Sequence, residues 1–178
     1  MSPVDPSPGA GALIHAVDGP GLEALLPLMG AVGSELQTEG ADGLLLACRQ
    51  AQSLTVLAWD GPRCMGAAAM LPVRADQTSA APLLAAGLNP ALTACLASPR
   101  ILQPYRNRGL EQRFLALREA AAAQMGLEYC AFVASSTEPE LHPAADPALW
   151  RASGYRPCAA GRVWSRWLKP LAARRATG

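Results

Sequence analysis

The stretch ILQPYRNRGLEQRF, residues 101–114, decides the fold. It leaves an apolar pair, Ile101 and Leu102, passes a turn holding Pro104, Arg106, Asn107, Arg108 and Gly109, and enters a run that only a helix accommodates. In LEQRFLALREAAAAQMG the residues Leu110, Phe114, Leu117, Ala121 and Met125 make a helical stripe, and Gly126 stands where a C-terminal cap glycine belongs. A strand-to-helix turn presents unpaired backbone N–H groups and the positive end of the helix dipole, which suits a phosphate or pyrophosphate. Arg106, Arg108 and Arg113 would add charge-assisted bonds to such an anion. Arginines at a turn can equally face water while Gly109 only makes the turn, and the segment alone leaves both readings open.

Working outward, YCAFVAS at 129–135 reads as a strand directly after the helix. RILQ, the helix and this strand predict a parallel, right-handed strand–helix–strand unit. Upstream, SLTVLAWD, the turn formers Asp60, Gly61 and Pro62, and CMGAAAMLPVR predict an antiparallel hairpin. ALIHAV fits a first strand, GPGLEALLPLMGAVGSEL a helix made imperfect by Pro27, and ADGLLLACRQAQ a second helix. AAPLLAAGLNPALTACLAS, at 80–98, reads as a helical excursion before RILQ. DPALWRAS, with Asp146 as cap and Gly154 as stop, is a short helix, and GRVWSRWLKP a last strand.

Composition bounds the function. The 178 residues suffice for one domain with its own core. Residues 1–10 and 172–178 read as flexible tails around a domain at 11–171. The cysteines (Cys48, Cys64, Cys95, Cys130 and Cys158) are odd in number and widely spaced, with no secretory leader before them. That pattern predicts reduced thiols in a cytoplasmic protein. His15 and His142 are too isolated for a metal cluster, so no metal is expected. No apolar run is long enough to cross a bilayer, which argues against a membrane partner. A net charge of +1 supplies no general field for nucleic acid, so any basic function is local.

With the order of elements in hand, RNRGLE resembles the CoA-binding signature of the GNAT acyltransferases, Q/R-x-x-G-x-G/A after a strand, through Arg106 and Gly109. DPALWRASGYRP is similar to that family's late helix and following strand. RVWSRWLKPL and the AAGLNP segment at 85–90 resemble a bacterial subgroup of unassigned substrate. Richness in alanine, arginine and proline also suits a bacterial, GC-rich source. The resemblance spans roughly residues 12–171 and implies an α/β (α+β) fold, a single domain whose mixed, mostly antiparallel sheet splays at a CoA cleft and carries flanking helices.

It further implies acyl transfer, most simply acetyl from acetyl-CoA, to a small-molecule or peptide amine by direct attack. Backbone groups of Ile101, Leu102 and Gln103 would pair with the pantetheine arm. The amides of Arg106, Asn107, Arg108, Gly109, Leu110, Glu111 and Gln112 would cradle the pyrophosphate. A homodimer is compatible with the family.

The sequence departs from the pattern in three places. Glu111 stands where the signature has Gly or Ala, and a carboxylate about 6 Å from an anion opposes it by roughly 1 to 3 kcal/mol. Trp150 stands where many members carry a general-acid tyrosine, and an indole N–H does not titrate usefully. Tyr155, Tyr105 and Cys158 are the alternatives, with Tyr155 placed first. Ser98 and Pro99 stand just before the signature strand, where the resembling subgroup often carries a carboxylate, which leaves Glu39 and His142 as base candidates, with Glu35, Asp42 and Asp76 behind them. Three functions follow: an active N-acyltransferase, a degenerate relative with weak or no CoA binding that acts as a binding or regulatory module, or an interaction protein that keeps only the fold and gives its alanine-rich surface to a partner.

Overall fold

Residues 13–38, 52–73, 80–133, 147–158 and 163–167 are described by the computed structural model. Strand β1 (Leu13–Val17) ends at Asp18, whose Oδ1 accepts the Gly21 N–H at 2.8 Å and so caps helix α1 (Gly19–Leu25). The helix expected through 19–36 breaks where Pro27 removes an N–H. A 3-10 turn, Leu26–Leu28, intervenes, and Gly30 at φ +54° restarts the chain as α2 (Gly30–Thr38). Of the second expected helix only residue 52 falls within the described residues.

The predicted hairpin is present as β2 (Leu54–Asp60) and β3 (Arg63–Pro72), paired antiparallel with a register shift after Ala58. The stretch 80–98 is a helix only at its start. Helix α3 (Ala80–Ala85) is followed by a 3-10 turn, Pro90–Leu92, capped by Asn89 Oδ1 on the Ala91 N–H at 3.0 Å, and then by strand β4 (Thr93–Leu96). RILQ shortens to β5 (Arg100–Ile101). Helix α4 (Leu110–Gln124) leads to β6 (Tyr129–Val133). Helix α5 (Pro147–Ala152), the short β7 (Arg156–Cys158) and β8 (Val163–Trp167) complete the described chain.

The strands form one sheet in the order β1-β2-β3-β4-β6-β8-β7, with β5 on β3 alone. The described pairings are antiparallel except β4 with β6, which is parallel. Helices α1 and α2 cover one face, with Leu22, Leu26, Met29 and Val32 packed on Leu57, Trp59, Cys64 and Leu102. The opposite face carries α4, whose Leu110 and Phe114 meet Val56, Ala58, Met65 and Ile101. Next to it Trp150 and Tyr155 join Leu115, Cys130 and Phe132. Ala67, Ala68 and Ala69 are fully buried in β3, where small side chains let a layer press close on either face.

Candidate functional site

The site begins where two neighbouring strands part. β4 pairs with β6 from Thr93↔Tyr129 to Cys95↔Ala131 and no further. Beyond that point Phe132 and Val133 pair with β8, while β5 stays with β3 through Gly66↔Ile101 and Ala67↔Arg100. Between β4 and β5 the register against β3 slips by one residue, so residues 97–99 form a bulge that bends the strand. A wedge opens between β5 and the end of β6. The strand that closes the parallel unit is therefore β4 rather than RILQ.

Gly66 makes the close fit of β5 to β3 possible. A Cβ there would lie 2.6 Å from the Arg100 carbonyl oxygen and 3.1 Å from an Ile101 side-chain carbon. The Leu102 N–H continues this pairing, donating to Met65 O at 2.9 Å. By strand alternation the backbone of Ile101 faces the wedge. Its carbonyl is already used, accepting Arg106 Nε at 2.9 Å. Thus Arg106 braces the turn: its amide donates to Gln103 O at 3.3 Å while its side chain ties back to the strand. The Arg63 guanidinium lies 5.6 Å from the centre of the Tyr105 ring and holds the Gln103–Tyr105 turn against the hairpin.

Asn107 at φ +59° and Gly109 at φ +80° are both left-handed, which curls the turn into the start of the helix. Gly109 is the N-cap of α4 and has no side chain to cap with. The first ladder bond of the helix runs from Arg113 N to Gly109 O at 3.2 Å. The N–H groups of Leu110, Glu111 and Gln112 precede it and meet no acceptor among the described residues. Gln112 Oε1 lies 3.4 Å from where a Gly109 Cβ would be, so its side chain folds back over the cap. Glu111 is half-buried in this first turn, and Gln103, Arg106, Asn107, Arg108 and Gln112 are exposed. The residues from Ile101 to Gln112 singled out for the cofactor form one continuous run beside the wedge, in which Ile101, Leu102 and Leu110 are buried and the Leu102 N–H is spent on Met65.

Of the three catalytic candidates, Tyr155 alone falls within the described residues. Glu39 and His142 lie outside the described residues. Tyr155 is 2% exposed, edge-on to Trp150 at 4.7 Å between ring centres, with Trp150 stacked on Phe132. Burial above all, with Cys130 and Glu119 adding to it and Arg118 opposing, pushes the Tyr155 phenol well above its ordinary range. Such a phenol holds its proton firmly. Cys158 is half-buried and Tyr105 is held by Arg63.

Sequence reasoning also missed Arg118. In the expected stripe on α4, Leu117 and Met125 are 42% and 45% exposed, whereas Leu115, Arg118 and Ala122 are buried. The buried face is turned about one residue from the apolar reading, because an arginine takes a place that hydrophobicity assigns to leucine. Burial lowers its pKa to about 10, which leaves it cationic at neutral pH.

On the other face, a cavity of about 310 Å³ lies between the α1–α2 connection and the hairpin turn, lined by Leu28, Met29, Pro62, Cys64 and Leu102, with Arg63 its charged wall. A cationic wall does not suit a protonated amine. Among the described residues no group of His, Cys, Asp or Glu could hold a metal ion, and no helix is long and apolar enough to cross a membrane.

No family model and no curated protein matches the chain. Solved structures do. A GNAT-family acetyltransferase from Staphylococcus aureus Mu50 superposes with a TM-score of 0.57 at 12% identity, over 89% of this chain and 100% of that one. A CoA-dependent acyl-homoserine lactone synthase, BjaI, with SAM and isopentyl-CoA, gives 0.55 at 13% identity, covering 89% and 84%. The PaiA N-acetyltransferase from Thermoplasma acidophilum, in complex with coenzyme A, gives 0.55 at 11% identity, covering 89% and 99%. At these identities the likeness is one of fold.

Proposed function

We propose that this chain, whose fold is that of the GNAT N-acyltransferases, is an acyl-CoA-dependent N-acyltransferase, with acetyl-CoA as donor and a small-molecule or peptide amine as acceptor. The observation that carries this reading is the coincidence, at one wedge, of a strand edge left open by β6, a left-handed turn at Asn107 and Gly109, and the uncapped N–H groups of Leu110, Glu111 and Gln112. These residues fit a pyrophosphate: the donors are backbone N–H groups at a helix start, and the helix dipole favours an anion there. Arg108 and Arg113 supply positive charge around the turn, whereas Arg106 spends its Nε on the strand. The Ile101 N–H, facing the wedge, is suited to an amide of the pantetheine arm.

When bound, the thioester supplies an activated acyl group. The chain's own part is to hold it in the wedge and keep the amine neutral at attack distance. The assay is release of free thiol from acetyl-CoA and from longer acyl-CoA, against a panel of primary amines that includes polyamines, amino acids and short peptides. Amine-dependent thiol release supports the reading, and none with any donor or acceptor overturns it.

Glu111 favours a second reading, in which the cradle has lost affinity and the fold serves as a binding module. A Glu111→Gln variant that gains both CoA affinity and thiol-release activity identifies a weakened transferase, one that gains affinity without activity supports the module, and one that gains neither shows that Glu111 is turned away from the anion.

A further inference from the structure

Helix α4 buries an arginine that backbone carbonyls hold. Arg118 is 1% exposed, and its hydrogen bonds go to three backbone carbonyls. Nε donates to Phe114 O one turn back at 3.2 Å, and Nη1 donates to Ala69 O on β3 at 3.0 Å and to Ala97 O at 2.7 Å. Tyr155, Cys130 and Glu119 surround the group. A guanidinium removed from water is costly, and a leucine would fill the same space without that cost. What it adds is a set of donors fixed in direction.

Those donors fall at a particular place. Ala97 opens the bulge: its N–H still donates to Ala69 O at 3.1 Å, as a ladder residue would, while its carbonyl accepts from Arg118. Arg118 thereby ties both sides of this rung to α4. One residue beyond, the register slips, β5 follows β3, and β6 has already departed. A strand of 93–101 without the bulge would keep one register throughout, turning the side chains of 100 and 101 to the opposite faces and setting its edge against Phe132 and Val133.

We propose that Arg118 is a positioning residue for the acyl-CoA wedge: by holding the Ala97 carbonyl it fixes the bulge that keeps β5 apart from β6. This rests on the proposed function only for what the wedge binds. The strand geometry it invokes stands without it.

The test compares wild type, Arg118→Met and Arg118→Lys, at a temperature where circular dichroism shows each folded. Two measurements are made: CoA affinity by calorimetry, and amide hydrogen exchange without ligand. For Arg118→Met the expected result is a CoA dissociation constant at least about tenfold weaker, with exchange raised about tenfold or more across 97–103 and unchanged in β1 and β2. Arg118→Lys, which keeps a charged donor, should recover part of both. Unchanged exchange at 97–103 in Arg118→Met overturns the proposal. So does a rise spread evenly over the sheet, the mark of general destabilisation. Should Arg118→Met fail to fold, Arg118→Lys decides by the same local comparison. If wild type itself binds no CoA, the transferase reading fails, and the exchange pattern still decides the role of Arg118.

Discussion

Replacing Glu111 by glutamine removes one charge at the mouth of the wedge and leaves shape and length nearly unchanged. Glu111 is the second residue of α4, half-buried, with its own N–H among those that precede the first ladder bond. Two effects of opposite sign follow. The carboxylate stabilises the helix N-terminus by about 0.3 to 1 kcal/mol, so the variant should unfold at slightly lower denaturant. The same carboxylate opposes a pyrophosphate in the cradle. At about 6 Å, with an effective dielectric between that of water and that near a protein surface, the opposition is roughly 1 to 3 kcal/mol. Its partial exposure keeps the value toward the lower part, about 1 to 2 kcal/mol, or about 5- to 30-fold in affinity. Calorimetric titration with CoA at low and moderate salt, beside urea denaturation, reads both. Tighter binding with lower stability is the expected pair, and the gain should shrink as salt rises. Equal or weaker CoA binding by the variant would refute the argument that Glu111 sits against the anion.

Other substitutions have equally definite outcomes. Tyr155→Phe should keep kcat within about threefold, because the phenol is buried and holds its proton; a loss of a hundredfold or more would make Tyr155 the proton donor. Gly66→Ala places a methyl 2.6 Å from the Arg100 carbonyl oxygen, so β5 must separate from β3. Destabilisation of about 1 to 3 kcal/mol in chemical denaturation is expected, together with weakened CoA binding. Burial raises the Cys64 pKa from 9.0 to about 11. The folded thiol therefore stays neutral while the unfolded one ionises, and stability present below pH 9 is lost as pH climbs toward 11. Relative to Cys64→Ala, wild type should lose about 2 to 3 kcal/mol over that range, measured by urea midpoints at several pH values. Parallel pH curves for the two proteins would contradict it.

Much of the fold could be read from local chemistry. The hairpin is signalled by Asp60, Gly61 and Pro62 between apolar runs. The end of α4 is signalled by Gly126, which at φ +78° closes the helix through Gly126 N–H to Ala123 O and Leu127 N–H to Ala122 O. The turn at Gly109 is legible for the same reason, since a left-handed residue before a helix calls for glycine.

What escaped is what tertiary contacts decide. Thr93 favours a strand but Ala94 and Cys95 carry little preference of their own, and β4 exists because β3 and β6 flank it. The bulge at 97–99 leaves no local mark apart from Pro99, whose missing N–H suits an irregular rung. β7 contains Pro157 and pairs only with β8, so its sequence reads as a loop. Arg118 was invisible because its partners are carbonyls at positions 69 and 97, remote in sequence. In the site the turn and the glycine that opens α4 were legible, while the buried state of Tyr155 was not. Glu39 and His142 fall outside the described residues.

The central claim is that the turn from Arg106 to Gln112 holds the pyrophosphate of an acyl-CoA. The most direct measurement is nitrogen–proton correlation NMR of the labelled protein during titration with CoA and, separately, with pantetheine, which lacks the pyrophosphate. Saturable shifts of the amides of Asn107, Gly109, Leu110, Glu111 and Gln112 are expected with CoA, weakened by salt, and no comparable shifts there with pantetheine. Saturation by CoA that leaves these amides unmoved, or no binding at millimolar CoA, would contradict it.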